Sequence, residues 1–138
     1  MKKVRIYLAG TIYKEEPDKL WKRQLRDYFN PKEDVADQNL QNDMYDFFDP
    51  DPQPGADVYV VARDKAEIQK CDILVAYIQR PTVGTSMEIL YAHMLGTKPI
   101  IIINPNGKML GDLWLRSCSQ CWTKSILECS EWIKSMRF

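Results

Sequence analysis

A doubly wound α/β fold, in which helices cover both faces of a parallel sheet, is predicted by two features of the sequence. Strand-like and helix-like segments alternate several times along the chain, which is the pattern of consecutive β-α-β units. The segment at 99–103, Pro-Ile-Ile-Ile-Ile, is apolar throughout, as expected of a strand that is buried on both faces. Because the chain has 138 residues and shows no repeat or linker, we expect one domain over residues 1–138.

The first half of the chain begins with a strand and a helix. Residues 4–9 are mostly apolar or β-branched and end at Gly10, which predicts a strand that meets a turn. Residues 17–29 carry apolar side chains at helical spacing, and the Asn-Pro pair that follows predicts the end of this helix. Residues 45–48, Tyr-Asp-Phe-Phe, predict a second strand, and a proline-rich loop follows it.

The second half continues the alternation and contains the two most apolar strands. Gly96 is a typical residue at the C-terminal end of a helix. The predicted elements are, in order, a helix over 58–70, a strand over 72–78, a helix over 85–95, the strand over 99–103, a loop or weak helix over 107–117, and a final helix over 125–136.

The composition argues against several classes of partner. Lys plus Arg and Asp plus Glu both total 19, so the chain has no net charge with which to hold a nucleic-acid polymer or an anionic membrane. No apolar run approaches the length that spans a bilayer, and the N-terminal residues turn polar too soon for a signal peptide. We therefore expect a cytoplasmic protein.

Metal and cofactor motifs are weak or missing in the sequence. Cys118 and Cys121 form a Cys-x-x-Cys pair, but there is no second such pair and only one histidine, so ordinary half-buried thiols are the simpler interpretation. Neither the phosphate-loop motif nor the Gly-x-Gly-x-x-Gly motif is present, so ATP and NAD sites of the familiar kinds are not supported. We expect neither a metal nor a cofactor.

Glu88 permits two interpretations. It follows Thr85 by three residues, and the pair fits a capping box in which both side chains bond free N–H groups at a helix start. Ligands of an open parallel sheet, however, bind beyond the carboxyl ends of the strands, and Glu88 lies in one of the segments that reach that edge. Its carboxylate could therefore face a pocket and take part in chemistry.

Two other residues form a candidate set with Glu88. Asp64 lies on the helix before the third strand, and Tyr7 lies on the first strand. On its own, Asp64 is more simply interpreted as a solvated charge on a helix surface. The combination of the two carboxyl groups and the tyrosine is what makes the set a candidate.

Three segments of the chain form a recognisable pattern. They are IYLAGTI at 6–12, RDKAEIQKCDILVAYI at 63–78 and GTSMEILYAHMLGTKPIIII at 84–103, and the FFDP run at 47–50 accompanies them. The pattern resembles the nucleoside 2-deoxyribosyltransferase family, which includes deoxynucleoside 5′-monophosphate N-glycosidases. The resemblance implies a flavodoxin-like, three-layer α/β sandwich that cleaves the bond between a nucleobase and deoxyribose without a cofactor.

The resemblance also implies roles for individual residues. Glu88 would be the nucleophile, Tyr7 would hydrogen-bond its carboxylate, and Asp64 would serve the base and its proton transfer. We expect the partial positive charge of a helix N-terminus to keep Glu88 ionised, and the intermediate to resemble that of retaining glycosidases. The implied substrate-binding residues are Gly10, Thr11 and Ile12, which match the loop that closes over the substrate, together with Thr82, Gly84, Ser86 and Asp112.

The sequence does not decide between substrates or between reactions. Thr82 stands where many transferases have an aspartate for the 5′-hydroxyl, which favours a 5′-monophosphate. Asp112 lies about where the family uses a neutral residue of the neighbouring subunit, and a carboxylate there favours a free 5′-hydroxyl. We favour a nucleoside transferase, with an N-glycosidase acting on monophosphates and a non-catalytic nucleotide-binding module as alternatives.

Association with further copies of the chain is expected as well. The resemblance implies that neighbouring subunits complete each pocket, so we expect a homodimer or a higher homo-oligomer. Three aromatic residues, Trp21, Tyr91 and Trp114, are expected to supply exposed area for such an interface.

Overall fold

The computed structural model describes residues 3–10, 20–29, 44–50 and 57–138. Strands and helices alternate through these residues, as the sequence predicts. The elements are β1 (Val4–Gly10), α1 (Leu20–Phe29), β2 (Tyr45–Phe48), α2 (Asp57–Lys70), β3 (Ile73–Tyr77), α3 (Val83–Leu95), β4 (Ile100–Ile103), α4 (Leu113–Ser117), β5 (Cys121–Thr123) and α5 (Ile126–Ser135).

The five strands form one parallel sheet in the order β2-β1-β3-β4-β5. This is the strand order of flavodoxin-like folds, in which the order reverses between the first and third strands and ligands bind beyond that point. The predicted fold class is therefore confirmed. The reversal brings the carboxyl ends of β1 and β3 side by side, and it leaves β2 and β5 as edge strands.

Both faces of the sheet are covered, which makes three layers. Side chains of β1 alternate between the faces, so Ile6 and Leu8 pack with α1 and α5, whereas Tyr7 and Ala9 pack with α2 and α3. Strands β3 and β4 are buried at every position. Their continuous apolar sequences follow from this burial on both faces.

Within the described residues most predicted elements are confirmed within a residue or two, and residues 17–19 of the first predicted helix lie outside the described ranges. The strand β5 was not predicted, and its three residues follow the short helix α4. Helix α3 begins at Val83, with Thr82 as its N-cap residue, so the prediction of a capping box formed by Thr85 and Glu88 is wrong. Thr85 is instead the third residue of the helix and is buried. Gly96 ends this helix in the left-handed conformation, as predicted.

The C-terminal end of α2 is capped by a buried lysine. The Lys98 ammonium donates hydrogen bonds to the backbone oxygens of Ile68, Gln69 and Cys71, and the last two bonds measure 3.0 Å. The three donors of the ammonium therefore satisfy three carbonyl groups that the helix leaves without partners. This cap ties the end of α2 to the start of β4.

The two cysteines of the Cys-x-x-Cys pair face opposite sides of the sheet. Cys118 belongs to the core beneath α3, whereas Cys121 packs against the core beneath α5, near Cys129. All four cysteines carry free thiols. The pair therefore does not converge on a common ligand position.

Gly10 is packed against the indole ring of Trp21. A Cβ at Gly10 would lie 2.8 Å from Cζ2 and 2.9 Å from Nε1 of that ring. The ring is buried and stacks on Tyr77 with 5.3 Å between ring centroids. The expectation that Trp21 is exposed is therefore wrong, and Gly10 allows α1 to approach the end of β1.

We expect Gly10→Ala to lower the free energy of unfolding by about 1–3 kcal/mol, because the added methyl group must displace a buried ring. Chemical denaturation monitored by circular dichroism measures this change. Gly84→Ala is the matched control, since a Cβ at Gly84 meets no atom within 4 Å and should stabilise α3 by about 0.5–1 kcal/mol. Equal stability of Gly10→Ala and the wild type would contradict the close-packing interpretation.

Candidate active site

The centre of the candidate site is a hydrogen bond between β1 and α3. The Tyr7 hydroxyl donates to Oε2 of Glu88. Thr85, Ile89 and Ala92 form the buried stripe of α3, and Glu88 lies beside this stripe, so its carboxylate points towards the sheet. Tyr7 is completely buried and Glu88 is partly buried, so the hydrogen bond lies at the boundary of the core.

Burial governs the protonation of Glu88. Burial, the largest cause, and the charge of Asp64 both raise the pKa of this carboxyl, which shifts from its ordinary value of 4.5 to about 7. The Tyr7 hydrogen bond and the charge of Lys22 act in the opposite direction. The expectation that the helix N-terminus keeps Glu88 fully ionised is therefore wrong, because Glu88 lies in the second turn of α3 and burial dominates.

Tyr7 remains a hydrogen-bond donor at all ordinary pH values. Burial raises its pKa far above the usual value of 10.0, and the neighbouring charges of Glu88 and Asp64 raise it further. A hydroxyl of this kind cannot act as a base near neutral pH. It can only hold and stabilise the carboxylate that faces it.

Asp64 lies on α2, close enough for its charge to act on both Tyr7 and Glu88. Its Oδ1 accepts from Nε of Arg63 at 3.1 Å and lies 3.0 Å from an Nη atom of the same guanidinium. Burial raises the pKa of Asp64, although the contact with Arg63 partly lowers it. The structure therefore brings together the three catalytic residues that the resemblance implies.

Aromatic stacking supports this group of residues. The Phe48 ring stacks on Tyr7 with centroids 5.5 Å apart, and the Arg63 guanidinium carbon lies 5.7 Å from the centroid of Phe48. The sequence analysis assigned no catalytic or binding role to Phe48 or Arg63. Both lie in segments that carry the family resemblance, which was the only available signal.

A second charged group lies at the end of β2. The Lys22 ammonium pairs with Oδ1 of Asp49, and an Nη atom of Arg26 lies 3.7 Å from Oδ2 of Asp49. The charge of Lys22 lowers the pKa of both Asp64 and Glu88. Sequence reasoning missed this group, because nothing in a single sequence connects α1 with the residue that follows β2.

The other predicted substrate-binding residues lie in several places. Thr82 caps α3, and its Oγ1 is buried without a hydrogen-bond partner among the described residues. Gly84 is exposed in the first turn of α3. Ser86 and Asp112 line a groove of about 280 Å³ between α3 and α4, and the Asp112 carboxylate accepts from the backbone N–H of Leu115 at 2.9 Å.

The predicted substrate loop is described only at its beginning. Gly10 is the last residue of β1 and lies at the carboxyl edge of the sheet, as expected. Thr11 and Ile12 lie outside the described residues. Their predicted contacts with substrate stay predictions.

The described part of the chain contains neither a cluster of metal-binding side chains nor a helix able to span a membrane. No group of three or more His, Cys, Asp or Glu side chains there could hold a metal ion. Likewise, none of the helices in the described ranges has the length and apolar character needed to cross a membrane.

Solved structures of other proteins share this fold over nearly their full lengths. A 2-deoxyribosyltransferase from Bacillus psychrosaccharolyticus has a TM-score of 0.68 at 20% sequence identity, covering 98% of this chain and 93% of the other. A conserved protein from Enterococcus faecalis has a TM-score of 0.65 at 17% identity, covering 96% and 98%. A CMP N-glycosidase from Clostridium botulinum has a TM-score of 0.60 at 20% identity, covering 94% and 97%.

These similarities confirm the fold that the sequence resemblance implies. No protein-family model matches the sequence, and no curated protein does so either. At sequence identities of 17–20%, the structural match is evidence for a shared fold and not for a shared activity. The assignment of an activity therefore depends on the residues of the site.

We expect Glu88→Gln to stabilise the fold at pH 8. The raised pKa means that the folded state binds the Glu88 proton more tightly than the unfolded chain does. The resulting stability is present below pH 4.5 and is lost as the pH rises through about 7, whereas glutamine never ionises. Denaturant unfolding measures the free energy of unfolding of both proteins. As the pH rises from 4.5 to 8, the value for the variant should increase relative to that of the wild type by up to about 3 kcal/mol. A difference that does not change with pH would contradict the raised pKa.

Proposed function

We propose that the protein cleaves the N-glycosidic bond of 2′-deoxynucleosides through a covalent deoxyribosyl-Glu88 intermediate and transfers the sugar to another nucleobase. The observation that carries the proposal is the partly buried Glu88 carboxylate, which accepts a hydrogen bond from Tyr7 and lies within reach of the charge of Asp64. The deoxyribosyltransferase and N-glycosidase that share the fold support the same reaction class.

In the first step, an ionised Glu88 oxygen attacks C1′ of the deoxyribose. The new C–O bond forms as the C1′–N bond to the base breaks, through a transition state with positive charge on the sugar. The Tyr7 hydroxyl fixes one carboxylate oxygen and leaves the other to attack. A pKa of about 7 leaves a useful fraction of Glu88 anionic at neutral pH. The burial that raises this pKa also keeps the carboxylate weakly solvated, which makes it a better nucleophile.

Asp64 is the proposed proton donor to the departing base. The electron pair of the C1′–N bond moves to the base, which leaves more easily when it is protonated. Two interacting carboxyl groups in one site favour the state that holds a single proton between them. Burial favours the protonated form of Asp64, from which a proton can pass to the base, while the Tyr7 hydrogen bond stabilises the charge on Glu88.

The second step decides between transferase and hydrolase. A nitrogen of a new base attacks C1′ and releases Glu88 in the transferase, whereas water attacks in the hydrolase. The buried Thr82 hydroxyl, which has no hydrogen-bond partner among the described residues, supports the hydrolase alternative, since it is a suitable donor for a 5′-phosphate. Asp112 supports the free 5′-hydroxyl instead, and the transferase is the function we put forward.

A non-catalytic binding module would not need this arrangement. Burying an ionisable carboxyl costs stability above its pKa, and a protein that only binds a nucleotide gains nothing from that cost. A partly buried Glu88 with a raised pKa, held by Tyr7, is instead the arrangement expected of a nucleophile. We place the reaction in the cytoplasmic metabolism of free nucleosides.

We also propose that two or more copies of the chain associate through α3 and α4. Large apolar side chains are exposed at helical spacing along α3. Further exposed apolar side chains on α4 and on the loop before it extend this apolar face. Trp114 is 74% exposed and belongs to this face, as expected, whereas Tyr91 is partly buried. The exposed apolar residues of the face are Val83, Met87, Leu90, Met94, Leu110, Leu113 and Trp114.

We expect sugar transfer to depend on the charge of Glu88. Wild-type protein incubated with deoxyinosine and free adenine should form deoxyadenosine, which chromatography detects. Glu88→Gln should lower this activity by several orders of magnitude, because a neutral amide cannot form the glycosyl ester. A 2-fluoro-deoxynucleoside should add the mass of its sugar to the peptide that contains Glu88.

Two controls sharpen this test. Glu67→Gln removes a carboxylate of α2 that takes no part in the site and should leave the activity unchanged. Deoxyinosine monophosphate, supplied with and without adenine, tests the hydrolase alternative, which predicts release of the free sugar phosphate. A fully active Glu88→Gln variant, or an adduct on another residue, would end the nucleophile assignment.

We expect Met87→Asp to weaken self-association, because it places a charge in the middle of the apolar face. Light scattering over a range of concentrations measures the mass in solution. Leu127→Asp, at an exposed position of α5, is the control and should leave the mass unchanged. A wild-type protein that is monomeric and fully active at working concentrations would contradict the proposed association.

A further inference from the structure

We propose that Arg63 is a positioning residue of the active site, whose guanidinium holds Asp64 by Oδ1 so that Oδ2 is the oxygen that donates a proton to the departing base. This role rests on the proposed function, because it concerns how Asp64 performs the proton transfer. The contact between Arg63 and Asp64 can be measured without a substrate, so the two proposals can fail separately.

Two N–H groups of Arg63 converge on one oxygen of Asp64. The Nε atom donates to Oδ1 at 3.1 Å, and an Nη atom lies 3.0 Å from the same oxygen. A proton on Oδ1 would point at these two donors, so the protonated form of Asp64 carries its proton on Oδ2. The contact therefore fixes the orientation of the carboxyl group and selects the oxygen that can act as a donor.

This contact differs from the usual arrangement of neighbours on a helix. Consecutive residues of an α-helix point about 100° apart around its axis, so their side chains do not normally face each other. Arg63 has to fold back across the surface of α2 to reach Asp64. The side chains are 32% and 18% exposed, respectively, so water and salt screen the pair less than they would screen a surface pair.

Phe48 gives the guanidinium a defined position. The guanidinium carbon lies 5.7 Å from the centroid of the Phe48 ring, which is the distance of a cation–π contact. The same ring stacks on Tyr7, whose hydroxyl bonds Glu88. Contacts therefore run continuously from the nucleophile through the two aromatic rings to Arg63 and Asp64. All of these side chains come from elements that meet on the α2 and α3 side of the sheet.

A role through charge alone makes the opposite prediction. Burial raises the pKa of Asp64, whereas the contact with Arg63 and the charge of Lys22 lower it. If Arg63 acted only through its charge, its removal would leave more Asp64 protonated and would speed the departure of the base. A positioning role predicts slower departure, because the proton is present but misplaced. The substitution leaves Tyr7 of β1 and Glu88 of α3, which also interact with Asp64, in place.

The first test compares single and double variants in the cleavage of deoxyinosine. We expect Arg63→Met to lower kcat by about ten- to a hundredfold. Adding Arg63→Met to Asp64→Asn should change kcat by less than about twofold, since a positioning residue acts only through the group it holds. A further large loss in the double variant would overturn the proposal. Lys65→Met is the matched control, because this cation of the same helix lies over the Tyr91 ring, and it should leave the activity unchanged.

A methylated substrate separates a defect in proton transfer from a general defect. The base of 7-methyl-deoxyinosine already carries a positive charge, which the electron pair of the C1′–N bond neutralises, so this base leaves without a proton. Arg63→Met should keep at least about half of the wild-type activity on this substrate. An equal loss on both substrates would mean damage at Glu88 and would overturn the proposal. Should Arg63→Met fail to fold, Arg63→Lys carries both tests, since lysine keeps the charge but lacks the planar pair of donors.

The contact is tested without a substrate by an NMR titration of the full chain, labelled with ¹³C at the aspartate carboxyl groups. Asp64→Asn identifies the Asp64 signal. Arg63→Met should move its midpoint to higher pH, whereas Lys65→Met should leave it in place. An unchanged midpoint in the folded Arg63→Met variant would overturn the contact. A wild-type protein that cleaves no glycosidic bond would end the proposed function, yet a shifted Asp64 midpoint would still support the contact with Arg63.

Discussion

The Tyr7–Glu88 hydrogen bond is the contact around which the candidate site is organised. A carboxylate buried beside a sheet requires a donor, and the donor must come from a strand whose side chains face the same helix layer. Strand β1 supplies it because the strand order places β1 between β2 and β3. Phe48 then reaches Tyr7 from β2, and α3 follows β3 to present Glu88 from above. The reversal of strand order thus determines which side chains can meet.

The fold could be predicted where single segments carry their own signal. Strands β3 and β4 are buried on both faces, so nearly every residue in them is apolar and their positions are plain in the sequence. Strand β5 has three residues, and so short a segment has no measurable periodicity. The start of α3 was misplaced because Thr82 and Thr85 are both suitable N-cap residues, and only the backbone conformation distinguishes them.

The site could be predicted only in part, for a similar reason. Tyr7, Asp64 and Glu88 lie in segments that resemble a known family, so motif reasoning found them, and the structure brings them together. Lys22 and Asp49 meet only because α1 packs beside β2, and such a long-range contact leaves no local pattern. The expectation that a helix N-terminus keeps Glu88 ionised was wrong because burial raises the pKa of this carboxyl. That burial depends on neighbours in three dimensions, which a single sequence does not show.

The Lys98 cap gives the protein an internal reporter of opening between α2 and β4. Lys98 is only 8% exposed and its ammonium donates three hydrogen bonds at the end of α2, which slows its reaction with amine-modifying reagents in the folded state. Labelling at this position must wait for the end of α2 to release the ammonium, which requires at least local opening of that end. The rate of covalent labelling at Lys98, compared with that of exposed lysines, therefore reports how often the contact between α2 and the start of β4 opens.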